Sequence, residues 1–389
     1  MKIKSENRKR RLQHEGEAEI DTDLSGTLEL DLIEDPSSLP GLKEDWDRLQ
    51  ADQGKGNIFL SHAYVSAWWQ VFGAERKLQL YLFRLDGEII GIAPLMVEFW
   101  RFHGLPIRRL SFLQNHHTLR GDLLLPIHPQ ACIQALFKHL RKNRGTWDLL
   151  SFENVSPESA LFHYLPQMAK QCSLLPEVWL RARMHHSLSF IGSWNEYLST
   201  RSKNFRWKIK RDLKRMNALG DCYFHCVTER EEQRAWLERM FELERKSWKG
   251  NDANAAMNEL DREFIRVLYE QLEENQLGPI WLIEHKGETV ASLSTLGHAD
   301  TLYTMMTYYA PEYDRISPGM LMMNELLGAA WSNPWMKVDF NGDTSFIKRW
   351  ALDSIQHHSL KVYSGNFYSV MLWVGSELLQ RLRKGGVRE

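Results

Sequence analysis

The sequence predicts an α/β (α+β) protein made of two related units, each a mixed, twisted sheet flanked by helices. Two observations carry this: a β-hairpin that recurs 200 positions later, and the same order of helices and strands around each copy. A third, a helix start late in the chain, suggests where the chemistry sits. The length of 389 residues suits two ordinary domains.

The first hairpin is Tyr81–Val97, YLFRLDGEIIGIAPLMV, with an Asp86-Gly87 turn. The second is Ile280–Leu296, IWLIEHKGETVASLSTL, with a Lys286-Gly287 turn. Both read as strand, two-residue turn, strand. A small residue, Gly91 or Ala291, stands at the same place in each second strand. Helical patterning precedes each hairpin, over Leu42–Leu49 and His62–Phe72 in one half and Glu229–Trp248 and Asp261–Leu272 in the other. More strand, a helix and another strand follow each, so duplication of an α/β unit is the better reading. The expected organisation is a polar, disordered tail over 1–25, a first unit over 26–190 and a second over 191–389 carrying the donor site. A boundary fits near 180–195, a single helix is expected over Asn195–Leu219, and Tyr363–Arg383 reads as a final strand and helix.

Tyr308–Trp350 is the most informative stretch. Ser317-Pro318-Gly319 reads as a helix start, with serine as cap and proline at the first helical position. A helix bearing Leu321, Met322, Glu325, Leu326, Ala329 and Ala330 follows, then a short strand Met336–Phe340, a Gly342-Asp343 turn and Lys348. A helix N-terminus beside a strand end favours phosphate, through unpaired amides and the helix dipole. The stretch therefore points to an enzyme with a phosphate-bearing donor.

In Arg201–Arg215 eight of fifteen residues are Lys or Arg and one, Asp212, is acidic. Phe205, Ile209, Leu213 and Met216 form its apolar face, so it reads as a basic amphipathic helix. It is either a solvated surface or a clamp, through Arg206 and Arg211, for a phosphorylated acceptor or RNA. Trp68 and Trp69 would floor a sugar site or pack in a core, and Asp122 would contact a ligand or form a turn. Tyr303, Tyr308, Tyr309, Glu244, Asp339, Asp343 and Lys348 are proton-transfer candidates. Acyl transfer from a thioester needs an oriented nucleophile, an oxyanion site and a proton for the leaving thiolate.

Other classes are disfavoured. A net charge of −1 gives no global field for nucleic acid. The four cysteines lack zinc or disulfide-framework spacing, which favours a reducing compartment. The pairs His116-His117, His185-His186 and His357-His358 would point to opposite faces if on strands, so no metal site is expected. No G-x-S-x-G elbow, P-loop or G-x-G-x-x-G occurs. No apolar run reaches the roughly 20 residues of a membrane span, and no signal core follows the basic N-terminus, so a cytoplasmic location is expected.

Trp46, Leu49, Phe59, Ser61, Trp68-Trp69 and DGEIIGIAPL (Asp86–Leu95) form an ordered set with the basic helix, Glu244 and Trp248. The set continues through SPGML (Ser317–Leu321), Asp339-Phe340, Gly342-Asp343 and Lys348. Over residues 40–365 it resembles the CelD/BcsL-type acetyltransferases of the GNAT superfamily, which are similar in architecture to the Fem-type peptidyltransferases. The resemblance implies tandem GNAT-like units and acetyl-CoA or a longer acyl-CoA as co-substrate, without a metal. It implies N- or O-acyl transfer to a sugar or related metabolite of bacterial cell-envelope or exopolysaccharide biosynthesis. Arg315, Ser317, Gly319, Met320 and Leu321 would bind the donor, and Lys348, Tyr308, Asp339 and Glu244 would serve the reaction. Arg206, Arg211, Trp68, Trp69 and Asp122 would serve the acceptor. An aminoacyl-tRNA-dependent transferase and a non-catalytic GNAT-like binding module are the alternatives. DNA is not an expected partner; peripheral association with envelope machinery is compatible with this reading. The chain departs from the family pattern in three places: one glycine in RISPG, Ile347 where an aromatic is common, and Glu244 where a histidine is frequent.

Overall fold

The computed structural model describes residues 26–54, 56–247, 256–333 and 335–385. The tail over 1–25 and Trp248 lie outside the described residues. In the first half the elements are β1 (Leu28–Ile33), α1 (Lys43–Gln53), α2 (His62–Phe72), β2 (Lys77–Leu85), β3 (Glu88–Phe102) and β4 (Leu105–Phe112). Then come α3 (Pro129–Lys142), β5 (Leu149–Val155), α4 (Ala160–Gln171) and β6 (Leu175–Ser189). The second half opens with α5 (Trp194–Thr200) and α6 (Lys203–Asn217). It repeats the pattern in β7 (Cys222–Val227), α7 (Arg230–Lys246), α8 (Glu259–Gln271), β8 (Ile280–His285), β9 (Glu288–His298) and β10 (Thr301–Tyr309). It ends with α9 (Pro318–Ala330), β11 (Lys337–Asp339), β12 (Asp353–Tyr363) and α10 (Phe367–Gly385).

The repeat holds in backbone detail. Asp86-Gly87 and Lys286-Gly287 both have positive φ at both positions, the primed geometry that matches strand twist. Each hairpin also carries a bulge at the same place. Phe83 faces Gly91 while Arg84 faces Ile89, and Ile283 faces Ala291 while Glu284 faces Thr289. The resemblance extends to α3 and α9. Each is preceded by a residue at positive φ, His128 or Ser317, with proline just inside the helix.

The twelve strands of the described residues form one sheet, in the order β1-β2-β3-β4-β5-β12-β6-β11-β10-β9-β8-β7. The halves exchange strands at its centre: β12 pairs with β5 of the first half, and β6 pairs with β11 of the second. The stretch expected to separate the halves is therefore largely the strand β6, whose length lets it pair with both β12 and β11. The single helix expected over Asn195–Leu219 is two. Arg201 and Ser202 take extended ψ values of 152° and 153°, and the Ser202 hydroxyl caps α6 by accepting the Phe205 amide.

One apolar core joins α1 and α2 to α7 and α8. Its centre is aromatic: Phe264 lies edge-on to Tyr64 with ring centroids 5.4 Å apart, and Phe59 is edge-on to Tyr303 at 5.8 Å. A second core lies on the first half's sheet and takes in Leu360 and Val362 of β12, and a third lies on the second half's sheet and takes in Leu188 of β6. No helix among the described residues is long and apolar enough to cross a membrane.

Candidate active site

The sheet opens between β10 and β11. They pair in parallel only over Thr301–Tyr303 and Lys337–Asp339, after which β11 ends and β10 runs on to Tyr309. A register shift between Thr304 and Thr307 bends β10 away, and the Met306 amide bonds the Ser294 hydroxyl (3.2 Å). Asn341, at positive φ, stitches the mouth: its Nδ2 donates to the Thr304 carbonyl (3.0 Å) and its amide to Asp339 Oδ1 (2.9 Å).

Two polar networks gather around this mouth. In one, Arg120 from the loop after β4 donates to both oxygens of Asp339 and to Nδ1 of His185 on β6. The His185 ring lies 4.2 Å from that of His357 on β12, whose Nδ1 is 3.0 Å from the Asn154 carbonyl. Burial, then the Arg120 guanidinium, pushes His185 down to about 2 and His357 to about 4, so both imidazoles are neutral. In the other network, His186 Nε2 meets Asp343 Oδ1 at 2.9 Å and Lys348 Nζ meets the same oxygen at 2.6 Å. The Lys348 bond, then that of His186, holds the Asp343 carboxyl below its usual range. Lys348 and Asp339, named on sequence grounds, are thus both at the mouth. Arg120, His185, His186 and His357 were missed as site residues, although strand alternation already separates His185 from His186.

The start of α9 faces the basic helix α6. Ser317 does not cap α9: at φ 49° its side chain makes no cap bond, and its hydroxyl accepts from Lys208 Nζ (2.5 Å). Lys208 also bonds Asp212 (2.7 Å), as does Arg211 (2.7 Å), and Arg215 reaches the Arg315 carbonyl (3.1 Å). Burial would raise the Asp212 carboxyl, but the bonds from Lys208, Arg211 and Ser317 bring it below its usual range. Three cations around one carboxylate leave excess positive charge beside a helix N-terminus. The Gly319 amide makes no backbone hydrogen bond among the described residues. A Cβ on Gly319 would meet only the Phe346 ring, at 3.7 Å, so there is open space beside this residue. Such an arrangement binds anions.

The stretch that contains this helix pair and the mouth, residues 203–349, matches the family model described as an acetyltransferase (GNAT) domain. It is a GNAT acetyltransferase domain. The protein is therefore an enzyme of the acyltransferase class, and GNAT domains use acyl-CoA as co-substrate. No curated protein sequence matches the chain. Among solved structures it is similar to FemX, at 11% identity and a TM-score of 0.59, over 85% of this chain and 98% of that one. It is also similar to the C-terminal domain of an Agrobacterium fabrum protein assigned as a lysylphosphatidylglycerol synthetase: 9% identity, TM-score 0.51, over 86% and 96% of the chains. A conserved protein of unknown function from Bacteroides thetaiotaomicron gives 13% identity and a TM-score of 0.52, over 86% and 100%. At these identities the likeness is one of fold.

Outside the mouth of the GNAT domain, other expected site residues hold structure. Glu244 is fully buried, accepting the Met257 amide (3.0 Å) and pairing with Arg262 (3.1 Å). This ties α7 to α8 and replaces the expected proton-transfer role. Tyr308 is buried on the same side. Burial, then the nearby Glu244 charge, raises its phenol, which stays protonated at neutral pH. Met320 and Leu321 bury their side chains in the core, so only their backbone can face a donor. Arg206 caps α5 through the Leu198 and Ser199 carbonyls (3.3 and 2.9 Å). Trp68 is wholly inside the shared core and Trp69 packs partly against it, the outcome expected of packing rather than of a sugar floor. Asp122 accepts the Leu123 amide (2.8 Å) and the Ser159 hydroxyl (2.6 Å), joining its loop to the start of α4.

Proposed function

We propose that the protein is an acyl-CoA-dependent N- or O-acyltransferase whose donor pyrophosphate sits at the start of α9. The observation that carries this is Lys208 bonded to the Ser317 hydroxyl, with Arg211 sharing its Asp212 partner and Arg215 on the neighbouring Arg315 carbonyl. The acyl-bearing arm runs into the gap between β10 and β11. There His186, oriented by Asp343, takes the acceptor's proton, and Lys348 serves the oxyanion or the departing thiolate. Asp339, held by Arg120, positions the acceptor. The acceptor class, a cell-envelope or exopolysaccharide sugar or related metabolite, rests on the family resemblance. The division into units over 26–190 and 191–389 is part of the same proposal, with β6 and β12 exchanged between them.

Calorimetry with acetyl-CoA and longer acyl-CoAs tests the donor. Charge-assisted bonds contribute about 1.5–3 kcal/mol, so Lys208→Ala should weaken binding roughly tenfold to a hundredfold. Unchanged affinity would remove Lys208 from the donor site. A second reading, an aminoacyl-tRNA donor, is favoured by Trp207, which is largely exposed with the Arg211 guanidinium 4.8 Å from its ring centroid. Such a surface, on a basic helix, stacks an unpaired base of an RNA. Binding of tRNA that falls steeply with salt, with no acyl-CoA binding, would select it.

A further inference from the structure

His116 and His117 lie in a turn between β4 and the Gly121–Val155 bridge, not on a strand. The alternation that separates His185 from His186 on β6, and His357 from His358 on β12, therefore does not apply to them. Their rings lie side by side, centroids 4.1 Å apart and planes tilted by 40°. Both Nε2 atoms converge on one carboxylate oxygen, Asp261 Oδ1, at 3.2 Å from His116 and 2.9 Å from His117. The three atoms all lie within 4.8 Å of one another. A tetrahedral ion with ligand bonds of about 2.0–2.1 Å has ligand atoms about 3.3 Å apart, so two edges of such a site are already formed.

The carboxylate is also oriented from behind. Asp261 Oδ2 accepts the Asn258 amide (3.0 Å) in the capping box that starts α8, which turns Oδ1 toward the imidazoles. His117 is mostly buried, with its ring 5.2 Å from that of Phe264, whereas the His116 side chain is 66% exposed. The cluster thus has a packed inner ligand and an outer one that solvent reaches.

We propose that His116 Nε2, His117 Nε2 and Asp261 Oδ1 bind one divalent transition-metal ion of the zinc class, with water completing the coordination. Two imidazoles and one carboxylate suit Zn²⁺ or Co²⁺ rather than Mg²⁺ or Ca²⁺, which take oxygen shells. On binding, each imidazole coordinates through unprotonated Nε2 and carries its proton on Nδ1. The direct contacts from the two rings to Asp261 are replaced by three bonds to the ion. The ion joins the first-half loop to the start of α8 in the second half. Arg120, three residues beyond His117 in that loop, is the residue that grips Asp339.

The test uses untagged, chelator-stripped full-length protein titrated with Zn²⁺, with Mg²⁺ as control, alongside His116→Ala, His117→Ala and Asp261→Asn. The expected result is one equivalent of Zn²⁺ bound by the parent, a higher melting temperature with the ion, and no response to Mg²⁺. Loss of even an outer-shell partner costs tenfold or more, so each variant should lose at least about tenfold in affinity. His116→Ala truncates an exposed side chain and keeps the fold, checked by circular dichroism. No Zn²⁺ binding by the parent, or equal binding by His116→Ala and the parent, overturns the proposal; the latter result assigns the ion to other histidines.

Discussion

The ion pair between Arg120 and Asp339 joins a loop of the first half to the central strand β11 of the second, and a double-mutant cycle measures what it contributes. Both side chains are largely buried, 10% and 13% exposed. Arg120→Met leaves the Asp339 carboxylate accepting from the Asn341 amide alone among the described residues, and His185 Nδ1 loses its donor. Removing one member of a buried pair costs about 3–5 kcal/mol, because the other charge stays desolvated and unpaired. Asp339→Asn should cost a similar amount by stranding the guanidinium beside two imidazoles. With both changes no charge remains buried, so the double variant should lose less than the sum of the singles, by about 1–3 kcal/mol. Urea unfolding of all four proteins, with the m-value unchanged among them, gives each term. Losses that add to within about 0.5 kcal/mol would refute the view that this pair acts as one unit across the halves.

Two other expectations follow from the same geometry. His185 and His357 have folded values of about 2 and about 4, below the roughly 6.5 of an unfolded histidine. The unfolded chain therefore takes up protons first. Their contribution is complete above pH 6.5 and is lost as pH falls toward those values, at about 1.4 kcal/mol per pH unit per imidazole. Unfolding free energies from pH 7 to 5 should fall less steeply in the His185→Gln, His357→Gln double variant; equal slopes would count against neutral buried imidazoles. Gly91→Ala should destabilise by about 1–3 kcal/mol, although its counterpart in the second half is Ala291. A Cβ there would lie 2.7 Å from Leu125 Cδ2 and 3.2 Å from the Leu124 carbonyl. A midpoint unchanged in thermal unfolding would show that the crossing loop can give way.

Much of the local structure was legible. Helix α2 spans the predicted His62–Phe72, and the two hairpins share their turns down to the sign of φ. These features depend on neighbours within a few residues, which a periodicity or a turn dipeptide encodes. The Ser317-Pro318-Gly319 helix start was also legible, but not what the serine does: Lys208, 109 residues earlier, takes its hydroxyl. The break at Arg201-Ser202 was hidden because apolar spacing continues across it; the Ser202 cap decides it.

From composition and pattern come the duplicated α/β unit, the basic helix and the helix start that faces it, because each is written in short-range spacing. The exchange of β6 and β12 was decided by tertiary structure, since strand pairing is chosen by register and edge availability over the whole sheet. The same holds for the mouth of the site. Arg120 and Asp339 lie 219 residues apart and carry no shared motif. Nor does sequence show that His116 and His117 turn toward Asp261, because adjacent histidines converge only where the backbone leaves the strand. Charges separated this far in sequence meet only when a packed core brings their elements together, and that core is what α1, α2, α7 and α8 build.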